Sequence, residues 1–82
     1  MNTKNLADFL TMNLKTGTRI EIDNGTIDRV IREDILNVET LDSIAMEDAQ
    51  VRDKFVAQFC QMYNLVSTYN VKESVYEFRL KN

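Results

Sequence analysis

Apolar residues near the start of the chain recur at intervals of three and four positions, the spacing of an amphipathic helix. Within residues 2–15, four apolar residues share one face of such a helix: Leu6, Phe9, Leu10 and Leu14. Asn5 or Thr3 can cap its start, because a side-chain oxygen there can accept a hydrogen bond from a free backbone N–H. Gly17 can adopt the left-handed conformation that ends many helices. The pattern predicts a first helix that is buried through this face.

A second stretch of helical spacing runs from about Ser43 or Met46 to Tyr63. Seven residues are expected on or beside its buried face: Val51, Phe55, Val56, Phe59, Cys60, Met62 and Tyr63. Asn64 is a suitable end residue, because Asn tolerates the left-handed conformation better than most side chains. The pattern predicts a second helix whose aromatic residues, Phe55 among them, lie in the core.

Between these helices, residues 18–31 alternate between apolar and polar, which is the period of a β-strand. Asn24-Gly25 divides this stretch, and it is a preferred pair for a two-residue type I′ turn. A hairpin with this turn would place Ile22 opposite Ile27. Its core face would carry four isoleucines: Ile20, Ile22, Ile27 and Ile31. The agreement between turn and alternation predicts a β-hairpin.

Two further strands complete the predicted sheet. Residues 35–41 would return as the third strand of a meander, and residues 75–80 alternate as a C-terminal strand. Residues 65–71 fit a partner strand, a continuation of the helix or a loop. The expected fold is one α+β domain over residues 1–82. Its small antiparallel sheet, a three-strand meander plus the C-terminal strand, would have two helices packed on one face.

The composition argues against most enzyme classes. The chain has no His and a single Cys, Cys60, so it lacks the usual proton-transfer side chain and any Cys/His zinc cluster. Cys60 lies in an apolar pattern and is expected to be a buried free thiol, as is common in a reducing cytosol. We therefore expect a cytoplasmic protein that is not an enzyme, with no catalytic residues, no cofactor and no metal.

The distribution of charge provides the positive clue. The net charge is −3, which disfavours direct binding to nucleic acid or to an anionic membrane. Between Glu33 and Asp53 there are seven acidic residues and one basic residue, Arg52, a local net charge of −6. Six of these acids are candidate contacts for a basic partner: Glu33, Asp34, Glu39, Asp42, Glu47 and Asp48. The alternative is that they are solvated residues of turns and of a helix start.

The outer acids of the predicted hairpin would extend this surface: Glu21, Asp23 and Asp28. In that register Glu21 faces Asp28, and like charges in directly opposed positions cost stability. A protein that keeps such a pair can use its field to attract a cationic partner. The sequence therefore predicts an acidic surface of nine candidate residues.

The order of elements and the charge resemble a known group of proteins. An N-terminal helix, an antiparallel sheet, an acidic stretch and a helix containing residues 51–59 are similar to small acidic anti-CRISPR proteins of phages. Some of these proteins mimic nucleic acid and occupy the groove in which an effector nuclease reads DNA. The resemblance implies a non-enzymatic inhibitor that binds one host defence protein.

The leading hypothesis is a non-catalytic domain that binds and blocks a basic, nucleic-acid-handling protein through the acidic surface. The alternative is a small structural or regulatory protein that forms a homodimer through a sheet edge or its C-terminal aromatic residues. A carboxylate–metal enzyme is a third possibility, although no calcium-loop spacing is present.

Overall fold

The computed structural model describes residues 2–34 and 49–81, which form three helices and one three-stranded antiparallel sheet. In chain order the elements are α1 (Thr3–Asn13), β1 (Ile20–Asp23), α2 (Asn24–Asp34), α3 (Ala49–Tyr63), β2 (Leu65–Asn70) and β3 (Val75–Leu80). The α+β class is confirmed. The third meander strand, predicted over residues 35–41, lies outside the described residues.

Helix α1 buries most of the predicted face. Leu6, Leu10 and Leu14 are buried, whereas Phe9 is 42% exposed, so its assignment to the core is wrong. The cap is Asn2, whose side-chain oxygen accepts from the Asn5 N–H at 2.8 Å. The helix ends at Asn13, and Leu14, its C-cap residue, is extended. Gly17 has a φ of 84°, but in the turn beyond that end.

The sheet order is β1-β3-β2, so the C-terminal strand β3 lies in the middle. Ile22 is opposite Tyr76, and Leu65 is opposite Leu80. Strand β3 has the predicted bounds, and of the three alternatives for residues 65–71, the partner strand is the one found. The chain therefore closes its sheet by pairing β1 with a strand about fifty residues later.

The predicted hairpin is wrong. Residues after Asp23 form helix α2, and neither Asn24 nor Gly25 has the positive φ that a type I′ turn requires. Ile27 and Ile31 are buried together with Val30, at the three- and four-residue spacing of a helix. The same isoleucines satisfied a strand pattern and a helix pattern, and β1 pairs with β3 instead.

Helix α3 ends where the sequence predicts, at Tyr63, and Asn64 takes the left-handed conformation with a φ of 58°. Its predicted start lies outside the described residues. Phe59 is the buried ring, while Phe55 is only partly buried and Met62 is 70% exposed. The Phe59 ring centroid lies 5.9 Å from that of Phe78 in an edge-to-face arrangement. The core assignment of Met62 is wrong, that of Phe59 is confirmed, and Phe55 packs against the core while only partly buried.

Candidate functional site

Asp23, one of the candidate partner contacts, caps helix α2. Its carboxylate accepts a hydrogen bond from the Thr26 hydroxyl at 2.5 Å, and Arg29 donates to the same hydroxyl at 3.1 Å. The hydrogen bond from the Thr26 side chain, with a further one from its backbone N–H, lowers the pKa of Asp23. Asp23 is exposed, but its carboxylate stabilises the start of a helix.

Asp28, a second candidate, joins α2 to α3 through an ion pair. Arg52 Nη1 lies 3.2 Å from both carboxylate oxygens of Asp28. The two side chains are only 12% and 14% exposed. Burial alone would lower the pKa of Arg52, but the hydrogen bonds and charge of Asp28 raise it overall. Because both side chains are largely buried, losing one partner leaves a charge that water reaches poorly.

A chain of aromatic contacts crosses the sheet beside this ion pair. The Tyr76 hydroxyl donates to Asp53 at 2.6 Å, and the rings of Tyr76 and Tyr69 lie 4.7 Å apart between centroids. Asn24 donates to the Tyr69 hydroxyl at 2.9 Å. Burial, followed by the bond to Asp53, raises the pKa of Tyr76. These contacts tie α2, both later strands and α3 together.

The pKa is raised for two side chains of this region that could act as nucleophiles, Tyr76 and Cys60. Burial raises the pKa of the Cys60 thiol, although a hydrogen bond with Ser67 opposes the shift. A thiol needs a lowered pKa to attack a substrate at neutral pH. Cys60 is free and buried, as the sequence predicts. Both Tyr76 and Cys60 therefore keep their protons at neutral pH.

Glu21, a third candidate, lies on β1 directly opposite Glu77 of β3, not opposite Asp28. The face of the sheet on which Glu21 lies carries both acidic and basic residues. Arg19 Nε lies 3.8 Å from a Glu77 carboxylate oxygen. Arg79 of the same strand donates to the Thr68 hydroxyl at 2.8 Å. Glu21 thus belongs to a mixed polar surface, and the like-charge pair expected from the hairpin does not form.

The six acids of the main acidic stretch are only partly described. Glu33 is exposed near the end of α2, and Asp34 is the last residue of that helix. The other four lie outside the described residues: Glu39, Asp42, Glu47 and Asp48. The three former hairpin acids occupy three separate places, a sheet face, a helix cap and an ion pair. They do not form one surface with each other.

The sequence names a sheet edge as an alternative contact surface without saying which strand forms it, and the structure identifies a candidate in the outer edge of β2. In the described part of the chain, β2 pairs with β3 on one side only. From Leu65 through Val71 the edge has no charged residue, no Gly and no Pro. The composition of residues 65–71 could have indicated an unprotected edge strand, since natural edge strands are commonly protected by charged residues or Pro.

An apolar groove of about 410 Å³ lies between the start of α1 and α3. Phe55, Met62 and Tyr63 line it, with the Lys4 side chain at its border. Its lining also includes the polar side chains of Thr3 and Gln58, and it contains no carboxylate or thiol.

Comparison of the chain with protein-family models, with curated proteins and with solved structures finds no match. Within the described residues, no cluster of three or more His, Cys, Asp or Glu could hold a metal ion. None of the helices described for residues 2–34 and 49–81 combines the length and apolar character needed to cross a bilayer.

Proposed function

We propose that this chain is a cytoplasmic, non-catalytic module that inhibits a basic, nucleic-acid-handling host defence protein, in the manner of small acidic phage inhibitors. One observation carries the proposal. The acidic segment, which we define as Glu33 to Asp53, has a net charge of −6, while the remainder of the chain is net positive. Such an asymmetry is typical of a surface that meets a partner of opposite charge.

The placement of Arg52 supports the proposal. This residue is the one base within the acidic segment, and its guanidinium contacts Asp28, which lies outside the segment on α2. The positive charge of Arg52 is therefore paired with a carboxylate of α2, outside the acidic segment. Glu33 is exposed where α2 leads into the segment.

The proposed mechanism is electrostatic competition. Lys and Arg side chains that bind phosphates also bind carboxylates, through the same charge-assisted hydrogen bonds. A protein that reads nucleic acid must present such side chains. The acidic segment would occupy them and so exclude the nucleic acid.

The test begins with capture of the partner from a host lysate on the immobilised chain, followed by identification of the bound protein. Association is then measured at several salt concentrations, together with displacement of nucleic acid from the partner. Association should slow as salt rises, because screening shortens the reach of exposed charges. The double variant Glu39→Gln/Asp42→Asn should associate more slowly and with a flatter salt dependence.

A matched control removes the same two charges elsewhere. Glu73→Gln/Asp8→Asn changes one Glu and one Asp that are exposed and outside the acidic segment. This variant should associate nearly as fast as the native chain. Equal effects of the two double variants would show that net charge alone matters. A bound partner that still holds its nucleic acid would refute inhibition by occupancy.

A further inference from the structure

Within residues 2–34 and 49–81, no strand pairs with the outer edge of β2, which presents a row of free backbone groups there. The Lys81 N–H donates to the Asn64 carbonyl at 3.3 Å, which fixes the alternation of hydrogen bonds along the ladder of β2 and β3. From this bond onward, every second residue of β2 bonds to β3, beginning with Val66. The residues between them direct their N–H and C=O groups outward: Leu65, Ser67 and Tyr69.

The two edges of the sheet differ in how they are protected. Strand β1 has four residues, of which Glu21 and Asp23 are charged. Strand β2 has six residues and no charge. Val66, Thr68 and Tyr69 are exposed on it. Because charges and short length are the usual means of preventing edge pairing, β1 is protected, whereas β2 is an open edge within the part of the chain that the structure describes.

We propose that two copies of this chain pair through β2 in an antiparallel arrangement centred on Ser67. A two-fold axis perpendicular to the sheet keeps the core face of one copy continuous with the core face of the other. The axis must then relate one residue directly to the same residue of the second copy, and it cannot lie between two successive residues of the strand. Centring on Ser67 places the outward groups of Leu65 opposite those of Tyr69 in the second copy. The ladder then forms about six new hydrogen bonds, two for each opposed pair of outward residues.

The side chains fit a second copy because the strand is self-complementary. In this register Val66 lies opposite Thr68 on the outer face, and Leu65 lies opposite Tyr69 on the core face. Each pair joins an apolar side chain to one that is wholly or partly apolar, and no charges oppose. Val66 is 39% and Tyr69 37% exposed in the single chain, so pairing removes apolar surface from water. The result is a continuous six-stranded sheet, independent of the proposed acidic contact.

Sedimentation equilibrium over a range of protein concentrations tests the association. We expect the native chain to reach twice its monomer mass and to stop there. Val66→Glu places a charge within the paired edge, opposite Arg79 of β3, so the chain can fold but should remain monomeric. Val71→Glu adds the same charge just beyond β2, at a residue that is 78% exposed, and should still dimerise.

A cross-linking experiment tests the register. In the proposed dimer Val66 and Thr68 of the second copy form a non-hydrogen-bonded pair, with Cα atoms about 4.5 Å apart, within the range of a disulfide. Val66→Cys/Thr68→Cys should therefore cross-link on oxidation. Each single variant should not, since identical residues lie about 7–8 Å apart on the diagonal. These single variants also control for Cys60.

A native chain that stays monomeric at every concentration would overturn the proposal. So would a dimer that Val66→Glu leaves intact, or an assembly that grows beyond two copies. Cross-linking of the single variants as efficiently as of the double variant would overturn the register. If β2 pairs with a strand from another protein instead, the chain alone should sediment as a monomer, and its mass should rise only when that protein is added.

Discussion

Asp23 illustrates how an exposed acid can have a structural role. It is one of nine candidate contacts in the sequence, but its carboxylate accepts hydrogen bonds from Thr26 three residues later. This is the geometry of a helix N-cap, which satisfies a backbone donor that the helix cannot. The cap explains why the chain turns from β1 directly into α2.

Replacing Asp23 with Ala should lower the free energy of unfolding by about 0.5–2 kcal/mol at pH 7. Because the folded-state pKa of Asp23 is lowered, the ionised form contributes stability above its unfolded value of about 3.9. That contribution is lost as pH falls through the folded-state pKa. Urea unfolding at pH 7 and near pH 3 should show the difference between native chain and variant narrowing in acid.

Asp23→Asn is the control for this experiment, since Asn also caps helices but does not titrate. Asp23→Asn should lower the free energy of unfolding at pH 7 by less than Asp23→Ala does. If Asp23→Ala lowers the free energy of unfolding by the same amount at both pH values, the ionised carboxylate has no stabilising role.

Helix α2 is the element on which the sequence reading and the structure disagree. Asn24-Gly25 is a strong turn signal when it is read with its immediate neighbours. In the structure the same two residues form the first turn of a helix after the Asp23 cap. The two interpretations require different backbone conformations at Gly25, so substitution there distinguishes them.

Gly25→Ala should change the free energy of unfolding by less than about 1 kcal/mol. Ala favours helix over Gly by about that amount, while its Cβ would lie 3.1 Å from Asp23 Oδ2 and require a small shift. Gly17→Ala should cost about 1–2 kcal/mol, because Gly17 has a φ of 84° with open space around it. Denaturant melts of both variants make the comparison. A larger loss for Gly25→Ala than for Gly17→Ala would favour the turn.

On the scale of the whole molecule, one cluster of buried residues unites all three helices with the sheet. Its centre includes Phe59 of α3 and Phe78 of β3, which are almost fully buried. The sheet it supports ends in the open edge of β2. A small domain buries a limited fraction of its surface by itself, so a second copy on that edge would add to its stability.

If two copies pair, the thermal midpoint should rise with protein concentration, by about 3–5 °C for each tenfold increase in a domain of this size. Mass action is the cause, since the folded dimer unfolds to two separate chains. The midpoint of Val66→Glu should not depend on concentration. Calorimetry over two decades of concentration measures both, and a constant midpoint for the native chain would contradict pairing.

The sequence by itself determined those elements whose pattern of apolar residues fits only one type of secondary structure. Leu6 and Leu10 mark the buried face of α1, and Asn64 marks the end of α3. The alternation of residues 75–80 identifies β3. Cys60 is recognisable as a buried thiol from its apolar surroundings. In each case the signal is local, because helical or strand periodicity already shows which side chains avoid water.

Tertiary structure decided the rest. Ile27 and Ile31 fit a strand face and a helix face equally well, and the choice depended on whether β1 paired with its neighbour or with β3. That pairing joins residues far apart in sequence, so no local pattern records it. The ion pair of Asp28 with Arg52 and the open edge of β2 follow from the same packing. The three acids predicted to share the outer face of the hairpin, Glu21, Asp23 and Asp28, were thereby separated, since each helix and strand positions its own residues.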